Sequence, residues 1–265
     1  MEHLTFRLYG PMASWGEIAV GESRHTDYYP SKSAIIGLLG AALGLRREEE
    51  EAHQNLANAY LQATKVLRSG QLLKDYHTAQ APDSAGKFRY RTRRDEIVKG
   101  RDRLGTVLSS REFLSDSHAV VSIRPGSKAN WSLSELAEAL TKPKFHLYLG
   151  RKAFPLAAPL SPQTGDFPDF RNALDSYELA PLVHAALDNP PAWMTDERWL
   201  PAQEVVRYYW EGEPQDFSSD TLSFPFDQVQ RITRYDKPAS RLRWQFQPRT
   251  EYCWLHESQN SWEAS

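Results

Sequence analysis

Polar and apolar positions alternate at the start of this 265-residue chain. In "LTFRLYG", Leu4, Phe6 and Leu8 alternate with Thr5, Arg7 and Tyr9, which predicts a half-buried strand ended by Gly10-Pro11. After a loop holding Trp15 and several glycines, "PSKSAIIGLLGAALGL" keeps almost no polar face. It predicts a buried helix capped by Ser31 or Ser33. Gly37, Gly40 and Gly44 recur along it, an expected device for lying close against a sheet despite their cost in helix propensity. "RREEEEAHQNLANAYL" predicts a second, solvated helix. "ATKVLRSG" and "LLKDYHTAQ" predict strands around a Ser-Gly turn, and "HAVVSIRPG" a strand closed by Pro125-Gly126. "SLSELAEALTKP" predicts a short helix with a capping box, Ser132 with Glu135, stopped before Pro143. "KFHLYLG" alternates again and predicts a strand.

With an insertion from about Asp75 to Asp116 set aside, the order is β, α, β, β, α, β. That is the split βαβ pattern of an α+β, ferredoxin-like (RRM-like) domain, an antiparallel sheet with two helices on one side. The expected division is residues 1–150 for this domain with its inserted arm, and 151–265 for a C-terminal extension. In the extension Pro155, Pro159, Pro162 and Pro168 crowd a loop. From Asp166 to Leu222 twelve Asp/Glu face three Lys/Arg, so this part is acidic. Strands return in "EVVRYYWEG", "VQRITRYD", "LRWQFQP" and "EYCWL".

Composition narrows the class. An apolar fraction of 40% with 12% aromatics argues for a folded protein. Its longest apolar run is about a dozen residues, too short to span a bilayer. The start carries no signal-peptide pattern, so a cytoplasmic protein is expected. Cys253 is the one cysteine, which excludes an intrachain disulfide and a Cys-based zinc site. His25, His118, His146 and His184 show no metal-ligand spacing, and no motif calls for a cofactor.

Charge changes the picture most. Net charge is −2, yet Lys87 to Arg111 holds nine Lys/Arg against three Asp/Glu. In "KFRYRTRRDEIVKGRDR", Lys87, Arg89, Arg91 and Arg93 alternate with Phe88 and Tyr90, so a strand would put cations on one face and rings on the other. Guanidinium groups fork onto phosphates and rings stack on unpaired bases. A solvated hairpin, or a hairpin docking on an acidic protein, would use the same residues. "PSKS" could hold an anion at a helix start with Lys32 beside it, or be an ordinary cap. His77, near Tyr76, Tyr28 and Tyr29, has the types for metal-free RNA cleavage, although a lone His is more often structural.

Four segments in order, "RLYGPMASWG", "YPSKSAIIGLLGAALGL", "DYHT" and "KPKFHLYLGRKAFPLAAPL", resemble the CRISPR-associated fifth family of the RAMP superfamily. The likeness runs from about Leu4 to Leu160 and is to members that serve type I-E surveillance complexes (Cascade). It implies a ferredoxin-like domain whose arm is a thumb, and a non-catalytic role binding and capping the 5′ handle of the guide crRNA. Partners implied are that handle, the backbone subunit and the large subunit, with target DNA reached only through the complex and no membrane. RNA contact carries over to Lys32, Ser33, His77 and Arg111 on matching segments. Arg91, Arg93, Arg94, Arg101 and Arg103 join them by charge. Another branch of the family cuts CRISPR transcripts, which keeps a metal-independent endoribonuclease as the alternative.

Overall fold

The opening alternation becomes strand β1 (Glu2–Tyr9), followed by two short strands, β2 (Met12–Ala13) and β3 (Ser23–Arg24). The structure, a computed structural model, describes all residues except 17, 18, 20, 83–88, 183–195, 197–199, 202, 204, 241, 242 and 258–265. Helices α1 (Lys32–Leu43) and α2 (Glu50–Ala59) lead to β4 (Tyr60–Arg68). Two strands of 12 residues, β5 (Gln71–Pro82) and then β6 (Leu104–Ser115), flank helix α3 (Arg93–Lys99) and a 3-10 turn at Arg101–Arg103. Next come β7 (His118–Pro125), α4 (Leu133–Thr141), β8 (Gln163–Asp166) and α5 (Phe170–Asp175). Strands β9 (Val205–Trp210), β10 (Gln230–Ser240) and β11 (Gln245–Glu257) close the order.

Seven strands form one antiparallel sheet in the order β10-β11-β9-β4-β7-β1-β8. It runs across residue 150, since β8 to β11 extend it at both edges. A second sheet joins β6 to β2, β3 and β5. Leu4, Phe6 and Leu8 of β1 pack with Ile35 and Leu39 of α1 and Leu136 of α4. Burying each such side chain contributes about 1.5–3 kcal/mol. The other face of the sheet is covered too, by Phe170 and Leu174 of α5 and a cluster including Trp210, Phe217 and Trp254. This overturns the half-buried reading of β1: Thr5 is 3% exposed and Arg7 2%. The Arg7 guanidinium is accommodated by donating to the Pro159 and Ala180 carbonyls.

Helix α1 is capped as expected, by Ser31 Oγ accepting from Ala34 N at 3.2 Å. Two of its glycines, Gly40 and Gly44, do not serve the sheet. A Cβ on Gly40 would stand 2.8 Å from the His53 ring of α2, and Gly44 takes the left-handed C-cap at φ +80. Helix α2 is less solvated than its charge suggested, with His53, Leu56, Ala57 and Ala59 buried. The α4 capping box forms as read.

Two strand expectations fail, and two expected strands merge. "KFHLYLG" buries Leu147 and Leu149 and exposes its neighbours, but its backbone bonds elsewhere. Lys144 and Phe145 donate to Ala42 O and Ala41 O at the end of α1, and β8 takes the place beside β1. Alternation reports burial, and here it does not report a ladder. The charged arm segment is not a strand at Arg93: Thr92 caps α3 by accepting from Asp95 N. Lys87 and Phe88 lie outside the described residues. "LRWQFQP" and "EYCWL" form one strand, β11.

Candidate nucleic-acid interface

A cleft of about 970 Å³ lies between α1, the loop after β1, the segment from His146 to Arg151, and the β10–β11 pair. Helix α1 contributes mostly small residues, Ser33, Ala34, Gly37 and Ala41, with Leu38 among them. The two loops are held by backbone contact. Ser14 N donates to Leu149 O at 3.1 Å, and Gly150 adopts φ +82 where a Cβ would fall 1.8 Å from Ser14 O. Only glycine fits that approach. Trp15 lines the cleft while buried, and its loop is closed by Thr26 Oγ1, which accepts from Trp15 N at 2.8 Å.

Rings and cations meet here. Tyr148, Tyr235 and Trp244 line the cleft at 41%, 62% and 64% exposure, enough for flat ligands to stack on them. Arg47 lies over the Trp244 ring at 4.4 Å. Arg24 and Arg151 also line the cleft, and Arg111 is the register partner of Arg24 across the parallel β3–β6 pairing. Burial, and then the charges of Arg111 and Arg24, hold Arg151 below the usual arginine pKa. Among the described residues none of these three has a carboxylate ion-pair partner. Like charges gathered without an ion pair form a site suited to an anion.

A family model described as CRISPR-associated protein (Cas_Cas5) matches residues 3–251. The chain belongs to this Cas5 family. The CRISPR system Cascade subunit CasD of Escherichia coli (strain K12) is 32% identical to it over 186 residues, 66% of this chain and 77% of that protein. A chain of a CRISPR RNA-guided surveillance complex shares its fold at a TM-score of 0.62 and 24% identity, covering 97% of this chain and 90% of that one. A crystal structure of a Cas protein superposes at a TM-score of 0.52 with 26% identity, covering 97% and 93%.

Within this Cas5-family fold the residues expected at RNA fall in separate places. Ser33 lines the cleft, its Oγ 3.0 Å from Ser31 Oγ, and Arg111 stands in the arginine cluster beside it. His77 is exposed partway along the β5–β6 ribbon, its Nε2 2.6 Å from Asp75 Oδ2. Arg91, Arg93, Arg94, Arg101 and Arg103 are all exposed at the far end of that ribbon. At the ordinary rise per residue, strands of 12 residues put that end roughly 40 Å from its base.

Lys32 lies elsewhere. It is 3% exposed, with its ammonium donating to Glu211 and, at 3.0 Å, to Tyr60 O. Burial pulls its pKa down while Glu211 pulls it up. Its backbone N–H, a free donor in an ordinary helix start, donates to Asp236 Oδ2 at 2.7 Å. The helix start thus already holds an anion, and that anion is a carboxylate of the protein.

Sequence reasoning missed Arg24, Arg47, Tyr235 and Trp244 because they are scattered from β3 to the β10–β11 turn with no shared spacing. Tyr148 and Arg151 stood inside "KPKFHLYLGRKAFPLAAPL", one of the segments that carry the resemblance. Among the described residues no helix is long and apolar enough to cross a membrane, and no cluster of His, Cys, Asp or Glu is placed to hold a metal ion.

Proposed function

We propose that this Cas5-family chain is a non-catalytic RNA-binding subunit of a type I-E CRISPR surveillance complex, binding and capping the 5′ handle of the guide crRNA. Arg24, Arg111 and Arg151 carry this reading. Three guanidinium groups with no ion pair among the described residues, beside a cleft of exposed rings, suit a backbone of phosphates with unpaired bases. The CasD relative is named as a Cascade subunit, which supports the assembly role. We read the strands β4-β7-β1-β8, with crossovers through α1–α2 and through α4, as a ferredoxin-like core. The β5–β6 ribbon is its thumb, reaching toward the backbone subunit, and the large subunit meets the same end of the RNA. Residues 151–265 extend this domain, target DNA is met only through the complex, and the setting is the cytoplasm.

Ser33 and Arg111 take handle contacts in this reading, and Arg91, Arg94, Arg101 and Arg103 contact phosphates from the thumb. His77 contacts RNA or supports the ribbon. Lys32 serves from inside the fold.

The second reading, a metal-independent endoribonuclease, rests on the exposed His77–Asp75 pair beside Tyr76. One experiment separates them. Repeat-derived RNA is incubated with the pure chain in EDTA and footprinted at several salt concentrations. Protection of the 5′ segment without cleavage, weakening steeply with salt, is expected. Specific cleavage that disappears in His77→Ala would replace the subunit by the nuclease.

A further inference from the structure

The cleft wall formed by β10 and β11 is fastened to α1 by an ionic cluster. Lys32, Arg234 and Arg249 face Glu211, Asp236 and Glu251, and all six side chains are buried. Arg249 donates from Nε to Asp236 Oδ1 at 2.6 Å and from Nη2 to Asp236 Oδ2 at 2.9 Å and Glu251 Oε1 at 2.5 Å. Tyr29 Oη donates to Glu251 Oε2 at 2.5 Å, and Arg234 pairs with Asp27. Asp236 is the junction. It alone takes the first N–H of α1 from Lys32, holds Arg249 in bidentate fashion, and lines the cleft.

Two observations give this cluster a task beyond stability. Buried ion pairs seldom stabilise a fold better than packed apolar groups would, but each demands a single geometry. Asp236 also sits in a bulge. In the β10–β11 ladder Arg234 faces Arg249 and Lys237 faces Gln247, so Tyr235 and Asp236 stand opposite Pro248 alone. A bulge bends its strand and leaves the extra residue unpaired in the ladder. Burial nevertheless keeps its alternation through it: Asp236 is 7% exposed against α1, and Tyr235 is 62% exposed in the cleft wall.

We propose that Asp236 is a positioning residue: by tying the bulge of β10 to the start of α1, it sets where Tyr235 stands across the cleft from Ser33. The proposal rests on the RNA-binding reading of the cleft. The tie itself can be tested without RNA. Tyr235 stacks on an unpaired base, and Asp236 contributes to binding only through it.

The test is a mutant cycle on the full chain, with single-stranded handle RNA as probe. Tyr235→Ala is expected to weaken binding about tenfold, as the loss of one stacked base does. Asp236→Asn, which keeps the volume and an acceptor for Lys32 N–H, is expected to do much the same with an unchanged salt slope, since no phosphate contact is lost. The double variant should be no weaker than either single one, because both act through one ring. Additive losses, or a folded Asp236→Asn that binds as wild type, overturn the proposal. If Asp236→Asn fails to fold, Asp236→Leu with Arg249→Met removes one charge of each sign, leaves two against two, and is read the same way. Hydrogen exchange of the Lys32 amide and the β10–β11 amides, measured without RNA, is expected to speed up in these variants. Unchanged exchange overturns the tie. A wild-type chain that binds no RNA sinks the functional reading and leaves the exchange result to judge Asp236.

Discussion

Two sets of cations within this Cas5-family fold meet opposite fates. Lys32 and Arg249 are buried and matched to carboxylates, whereas Arg24, Arg111 and Arg151 gather without an ion pair among the described residues; the nearby Asp75 and Glu112 pair with His77 and His25. The difference is not visible in local sequence. Lys32 has hydroxyl neighbours and reads as an anion site, but its counter-charges arrive from 179 residues away at Glu211 and 204 at Asp236. The cleft arginines come from three separate segments, and among the described residues none of them forms an ion pair. A cation is structural or functional according to which carboxylates the fold delivers to it.

The strongest way to break this comparison is at the buried side. Lys32→Met leaves Glu211 without its ammonium and is expected to cost about 3–5 kcal/mol, as breaking a buried pair does. In a chain of this size that lowers the melting temperature by about 10 °C. Lys32→Met with Glu211→Leu removes both charges and should recover most of the loss. A single variant that melts like wild type would return Lys32 to the solvent side of the comparison.

Acid offers a second separation, because the sheet holds two histidines neutral. Burial first, then Arg124 and the N-terminus, lowers the His3 pKa to about 4; burial first, then Arg7, does the same for His118. Asp166 and Asp169 oppose this at His3, and Asp196 at His118. Unfolded, each titrates near 6.5. As pH falls through 6.5 the unfolded chain binds protons that the folded chain refuses. Stability therefore declines from there down to pH about 4, where the folded state protonates as well. The loss is on the order of 2–3 kcal/mol per histidine. Melting curves across that range should flatten in His3→Gln with His118→Gln, and parallel curves would place the acid sensitivity elsewhere.

On the open side, Arg24→Ala with Arg111→Ala and Arg151→Ala should flatten the salt dependence of RNA binding by about two to three units of slope. Melting temperature should hold or rise slightly, because the three charges repel one another. A variant that melts lower with its slope intact would make the cluster structural.

The sequence was legible where a rule is local. Ser31 and Ser132 cap their helices through neighbours three residues on, β1 follows from its alternation, and β4 and β7 from short stretches ended by Ser-Gly or Pro-Gly. It was illegible where partners are remote. Nothing in "KFHLYLG" says that its amides will cap α1 and leave the place beside β1 to Gln163–Asp166. Nothing in β1 foretells α5 covering its second face. The candidate site divided the same way: the resemblance pointed to Ser33 and Arg111, but the wall carrying Tyr235 and Trp244 is built by the β10–β11 pairing, whose register and bulge local sequence does not announce.

The smallest expected effect separates two neighbours on α3. Arg93 donates to Glu96 Oε2 at 2.6 Å and to Gln80 O, which ties the helix back to β5, while Arg94 is exposed beside it. An exposed pair of this kind contributes about 0.2–1 kcal/mol, so Arg93→Ala should loosen α3 slightly. It should change RNA binding little, because that guanidinium is already engaged. Arg94→Ala should do the reverse, leaving stability within about 0.5 kcal/mol and flattening the salt slope by about one unit. Melting and salt titration of both variants decide the matter. Equal slope changes would mean that a phosphate displaces Glu96 from Arg93. An exposed ion pair would then yield to RNA, and among these cations only burial, as at Lys32, would withdraw a charge from binding.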